Sequence, residues 1–75
     1  MPLRMTYREI VEDLATRITA GEYPPGSELP TYRQLAELYS VGVTTAARVY
    51  SILSDRGLVV GQTGRRMYVA EKLPS

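Results

Sequence analysis

The sequence predicts a small α+β fold, mainly helical, with three helices and a β-hairpin in the order α-β-α-α-β-β. Three observations carry this expectation. Two capping boxes, Thr6-Tyr7-Arg8-Glu9 and Thr31-Tyr32-Arg33-Gln34, each open an apolar-periodic run. A short break at Ser40-Val41-Gly42 divides the stretch from Leu29 to Leu53 into two such runs. Behind them, Leu58-Val59-Val60 and Met67-Tyr68-Val69-Ala70 flank a turn-rich segment, the pattern of a hairpin.

The first helix begins at Thr6, whose hydroxyl takes an orphan N–H while Glu9 reaches back to the cap; Met5 and Ile10 are spaced for a hydrophobic staple. Tyr7, Ile10, Val11, Leu14 and Ile18 form one apolar stripe, with Glu9, Glu12, Asp13 and Arg17 outside it, and Gly21 ends the helix. Tyr23-Pro24-Pro25-Gly26 is a rigid corner, because paired prolines forbid helix and glycine permits a positive-φ turn. Ser27-Glu28-Leu29 leads into Pro30 and suits a small edge strand, since the residue before a proline avoids the α region.

The second capping box opens a helix of roughly two turns, with Leu35, Ala36 and Leu38 as its inner face. A third helix follows Gly42, with Ala46, Val49, Tyr50 and Leu53 as the buried stripe and Thr44, Thr45, Ala47, Arg48 and Ser51 outward. Gly57 closes it. The hairpin carries a basic tip, Gly61-Gln62-Thr63-Gly64-Arg65-Arg66, and the residues after Glu71 have no pattern and are expected to fray. Of the six tyrosines, Tyr39 and Tyr50 read as core residues with a polar tip, and Tyr32 and Tyr68 as the better candidates for exposed contact.

Composition narrows the function. Seventy-five residues, 44% of them hydrophobic, read as one domain over 1–75 with a core of about 6–70. With no cysteine and no histidine, zinc-finger spacing, thiol nucleophiles and imidazole bases are excluded. No enzyme, metal or cofactor is therefore expected. The start lacks a signal-peptide apolar region and no apolar run approaches the roughly 18 residues of a membrane span, which points to a cytoplasmic, nucleoid-associated protein and no membrane partner.

Net charge is only +1, but its distribution is uneven. Up to residue 38, six acids (Glu9, Glu12, Asp13, Glu22, Glu28, Glu37) face four arginines. From residue 39 onward, five bases (Arg48, Arg56, Arg65, Arg66, Lys72) face two acids, Asp55 and Glu71. A polyanion should meet the second half.

Two short helices across a tight break form a helix-turn-helix, whose second helix enters the major groove while the first crosses the backbone. A helix ahead and a hairpin behind make this a winged helix-turn-helix, the hairpin tip lying beside adjacent phosphates or the minor groove. The stretch "ITAGEYPPGSELPTYRQLAELYSVGVTTAARVYSILSDRGLVVGQTGRRMYV" resembles the DNA-binding domain of the GntR family of bacterial transcription regulators. That family pattern reads I-x-x-G-x-x-x-P-G-x-x-L-P-[ST]-x-R-x-L-A, then V-[ST]-R-x-T-V-R, L-x-x-x-G-[LW] and G-[RK]-G-[ST]-x-V. The densest agreement runs through Pro25-Gly26, Leu29-Pro30, Arg33 and Leu35-Ala36.

The resemblance implies sequence-specific binding of double-stranded DNA and transcription regulation. It implies a DNA role for Arg33 near the start of the second helix, for Thr44 and Thr45 at the start of the recognition helix, and for Thr63, Gly64, Arg65 and Arg66 at the wing. Three positions depart from the pattern. Gly42 stands where the family has Ser or Thr, and Val43 and Ala47 stand where it commonly has cations. Each lost arginine removes a bidentate guanine contact worth roughly 1–3 kcal/mol of discrimination, whereas Val43 and Ala47 suit apolar contact with thymine methyl groups. Arg48 either takes over a phosphate or base contact or pairs with a nearby carboxylate.

The resemblance implies that this domain is usually attached to a larger C-terminal part that senses a metabolite and holds the dimer; nothing of that kind fits within these 75 residues, so no effector-binding domain and no small-molecule effector site are expected. A lone domain should bind modestly and salt-sensitively, so homodimerisation or cooperative pairing on adjacent half-sites is expected. Two alternatives remain at this point: an architectural or recombination-directionality factor on the same fold, and a protein-interaction module using the apolar Val43 and Ala47. All of these depend on whether the Thr44 segment and the Arg65 loop project on one side.

Overall fold

The computed structural model describes residues 5–61 and 66–72. Three helices, α1 (Tyr7–Thr19), α2 (Tyr32–Tyr39) and α3 (Val43–Asp55), are followed by an antiparallel pair, β1 (Val59–Gly61) and β2 (Met67–Val69). Among the described residues, no helix is long and apolar enough to cross a membrane.

Both capping boxes form. Thr6 Oγ1 accepts from the Glu9 N–H at 3.2 Å while Glu9 Oε1 accepts from the Thr6 N–H at 2.7 Å. At α2 the corresponding Thr31–Gln34 bonds are 3.1 and 2.9 Å. All three helices end alike. One residue turns to positive φ (Gly21, Ser40 and Gly57) and the next N–H reaches back into the helix: Glu22 to Arg17 O, Val41 to Ala36 O and Leu58 to Leu53 O, at 2.9, 2.9 and 3.0 Å. This is the Schellman termination. At α2 it is made by a serine, at φ 56°, where L-residues are strained.

Helix α3 is the hub, packing on α1, α2 and β1. Its Ala46, Val49, Tyr50 and Leu53 are fully buried against Ile10, Leu14 and Ile18 of α1 and Leu35 of α2 in one cluster. Each such large side chain contributes roughly 1.5–3 kcal/mol by leaving water. Polar ties fix the helices to one another. The Tyr39 hydroxyl donates to Asp13 Oδ2 at 2.6 Å, joining α2 to α1, and Arg56 donates to Glu12 Oε2 at 2.6 Å, joining α3 to α1. Buried Tyr50 donates to the Pro30 carbonyl at 2.6 Å, joining α3 to the entry of α2. Burial pushes the Tyr50 phenol well above its ordinary range.

Four expectations are corrected. Leu38 is 60% exposed rather than on the inner face of α2. The inward stripe is Tyr32, Leu35, Ala36 and Tyr39, at i, i+3, i+4 and i+7, and Leu38 falls outside it. Tyr32 is accordingly half-buried, its ring 5.6 Å from that of Tyr50, and Tyr68 is half-buried too. The strand expected at Ser27–Leu29 reduces to a bridge, Glu28 to Tyr68, bordered by the Leu29 N–H to Met67 O and Val69 N–H to Ser27 O bonds. The turn at Gly26 and the proline at position 30 leave no length for more. β1 begins at Val59, not Leu58, in the register Val59 to Val69, Val60 to Tyr68 and Gly61 to Met67.

Candidate nucleic-acid interface

The turn between α2 and α3 fixes what α3 shows to solvent. Ser40 and Val41 redirect the chain, and Gly42, extended at φ −76° and ψ 160°, stands as the N-cap of α3 with no side-chain cap. A Cβ at Gly42 would meet nothing within 4 Å, so neither packing nor backbone conformation demands glycine there. The first N–H groups of α3 are left without a side-chain acceptor, at the end of the helix that favours anions.

On α3 itself, Val43 (50% exposed), Thr44, Arg48 and Ser51 face solvent, while Thr45 and Ala47, expected outward, are half-buried. Val43, Ala47 and Ser51 lie on one i, i+4, i+8 row. That row borders the hairpin: Ala47 and Ser51 line a hollow together with Tyr32, Gly61 and Met67. At the helix start, Val43 shares a second hollow with Thr31, Tyr32 and Arg33, which brings exposed Arg33 of α2 beside the beginning of α3.

Arg48 leaves the row on the other side. Its guanidinium lies over the Tyr7 ring, 4.7 Å from the centroid, and makes no ion pair among the described residues. The carboxylate pairing considered above is thus replaced by a cation–π contact, which holds the side chain without neutralising it. Arg8 also borders this ring, at 5.8 Å, its Nε donating to the Tyr7 hydroxyl at 3.4 Å. That hydrogen bond and the Arg8 charge, with a smaller contribution from Arg48, hold the Tyr7 phenol below its ordinary value. By its period Tyr7 belongs to the core stripe of α1, and nothing local in the sequence marks it as the support of Arg48, forty-one positions away.

The arginines therefore divide into two groups. Arg17 pairs with Asp13 and Glu22 at 3.0 and 2.8 Å, Arg56 with Glu12 at 2.6 Å and Arg66 with Glu28 at 2.7 Å. Arg66, expected at the wing tip, is tied to the segment before α2. Among the described residues, Arg8, Arg33 and Arg48 have no carboxylate partner, and they sit around the exposed part of α3 or at its α1 border. Thr63, Gly64 and Arg65 lie outside the described residues; the hairpin root at Gly61 opens beside α3.

A helix-turn-helix with its second helix exposed, and an antiparallel hairpin at that helix's flank, defines the winged helix class of DNA-binding domains. The chain belongs to the gntR family of bacterial regulatory proteins, whose sequence model matches residues 6–69. It is 34% identical over 73 residues to an uncharacterised HTH-type transcriptional regulator of Streptomyces coelicolor, covering 97% of this chain and 27% of that one. In structure it is similar to a GntR family transcriptional regulator from Listeria monocytogenes, with a TM-score of 0.85 and 29% identity, covering 96% of this chain and 63% of the other. It is also similar to BusR of S. agalactiae in complex with its busAB promoter DNA, with a TM-score of 0.80 and 25% identity, covering 91% and 33%. The chain spans less than two thirds of the length of each of these proteins.

Proposed function

We propose that this domain binds double-stranded DNA sequence-specifically and regulates transcription, with α3 in the major groove and the hairpin beside it. The observation that carries the reading is the exposed face of α3, bordered by the hairpin root at Gly61 and flanked by arginines that have no carboxylate partner among the described residues. In this reading Thr44, Thr45 and the uncapped N–H groups after Gly42 meet phosphate or base edges, Arg33 and Arg48 flank them, and the Thr63 to Arg65 segment meets the adjacent backbone, while Arg66 stays paired with Glu28. The BusR–promoter complex, on the same fold, supports it. The domain's role is recognition, not catalysis, and two copies on neighbouring half-sites supply the affinity that one copy lacks.

Selection of bound duplexes from a random pool, followed by titration of the best site at several salt concentrations, tests the proposal. Each arginine that meets a phosphate contributes about 0.9 to the slope of log K against log salt. Arg33→Ala and Arg65→Ala should each lower that slope. Failure to enrich any duplex at low salt refutes the proposal, and a stable dimer in sedimentation without DNA refutes the expectation that pairing occurs on DNA.

A further inference from the structure

The row of α3 that borders the hairpin carries no charge from Val43 through Ala47 to Ser51. The arginine on the helix's outer surface, Arg48, is held over Tyr7 at the opposite edge. Arg33 reaches only the start of the row, where it shares a hollow with Val43. Nothing on this row can make the paired hydrogen bonds that select guanine. It offers the two methyls of Val43, half-exposed, the methyl of Ala47 in the hollow facing the hairpin, and a hydroxyl at Ser51.

In the major groove one base-edge group is complementary to such a row, the 5-methyl of a pyrimidine, which thymine carries and cytosine lacks. Resting on the DNA-binding reading above, we infer that Val43 and Ala47 form a reader of pyrimidine 5-methyl groups. The row accepts thymine and, by the same contact, 5-methylcytosine, and it disfavours unmodified cytosine. Because the contact is to the methyl and not to the pairing edge, methylation of a cytosine at that step should restore binding that a C·G pair loses.

Deoxyuridine replacing each thymine of the best selected duplex removes only the methyl. At one or two positions per half-site the wild-type protein should lose affinity about fourfold, the equivalent of one buried methylene. Val43→Ala, on an exposed helix position, should abolish that penalty at one of those positions. At the same position 5-methylcytosine opposite guanine should bind tighter than unmodified cytosine by a similar factor. A duplex that binds equally with deoxyuridine at every position overturns the inference while leaving the DNA-binding reading intact. So does a deoxyuridine penalty that Val43→Ala and Ala47→Ser leave unchanged. Absence of any selected duplex overturns both.

Discussion

Replacing Tyr50 with phenylalanine isolates one bond between the recognition helix and the rest of the domain. Tyr50 is fully buried at the middle of α3, and its hydroxyl donates to the Pro30 carbonyl at 2.6 Å, one residue before the Thr31 cap of α2. The ring stays in Tyr50→Phe, so the apolar burial and the contact with Tyr32 are kept. What is lost is the donor, and an unsatisfied buried carbonyl costs about 1–3 kcal/mol. Pro30 is only half-buried, so water relieves part of this and places the expected cost near 1–2 kcal/mol. A domain of this length holds roughly 4–11 kcal/mol in total, and the melting temperature should fall by about 4–16 °C. Urea unfolding followed by far-UV circular dichroism measures the free-energy loss, and a thermal melt the shift in melting temperature. Tyr39→Phe is the control: its partner Asp13 is partly exposed and retains Arg17, so the loss should be smaller. A Tyr50→Phe protein within about 0.5 kcal/mol of the parent, or less affected than Tyr39→Phe, would refute the reasoning.

Ser40→Gly should stabilise the domain by about 0.5–1 kcal/mol, because relief of a left-handed serine outweighs the extra freedom glycine gives the unfolded chain; a lower urea midpoint would contradict this. Gly42→Ser should add a cap worth a few tenths of a kcal/mol, with no steric penalty, and should tighten duplex binding if the N-terminus of α3 meets a phosphate. Acid should weaken the fold through Asp13 and Glu12. Hydrogen bonds from Tyr39 and Arg17 hold Asp13 below its ordinary 3.8, and Arg56 holds Glu12 below 4.5. Their contribution is complete above those ordinary values and is lost as pH falls through the lower folded-state ones. The urea midpoint should therefore drop between pH 6 and pH 2.5 more in the parent than in an Asp13→Asn, Glu12→Gln variant, and equal drops would exclude the mechanism. Leu38→Lys should change stability by less than about 0.5 kcal/mol, since the side chain is exposed.

What the sequence made legible is what neighbours in the chain decide. The two capping boxes, the glycine terminations of α1 and α3, and the stripe of α3 are local patterns, and each is present in the structure. The face of α2 was not legible, because eight residues carry too few apolar positions to define a stripe and tyrosines supplied half of it. Nor were the partners of Arg48, Arg66 and Tyr50, which lie on other elements brought near only by the packing of α3 against everything else. Among the site residues, the exposure of Val43, Thr44 and Arg48 follows from helical period, while the half-burial of Ala47 depends on Tyr32 and the hairpin residues Gly61 and Met67 beside α3.

β2 is flanked on both edges, by β1 on one side and by the Ser27–Leu29 segment on the other, and it contributes Met67 and Val69 to the core. The keystone of the domain is thus among its last residues to be made. A nascent chain halted at Gly61 holds all three helices yet leaves the backbone before α2 without its partner strand and the core open along one wall. The wall of the core that Met67 and Val69 supply is complete only once residue 70 or so has left the ribosome.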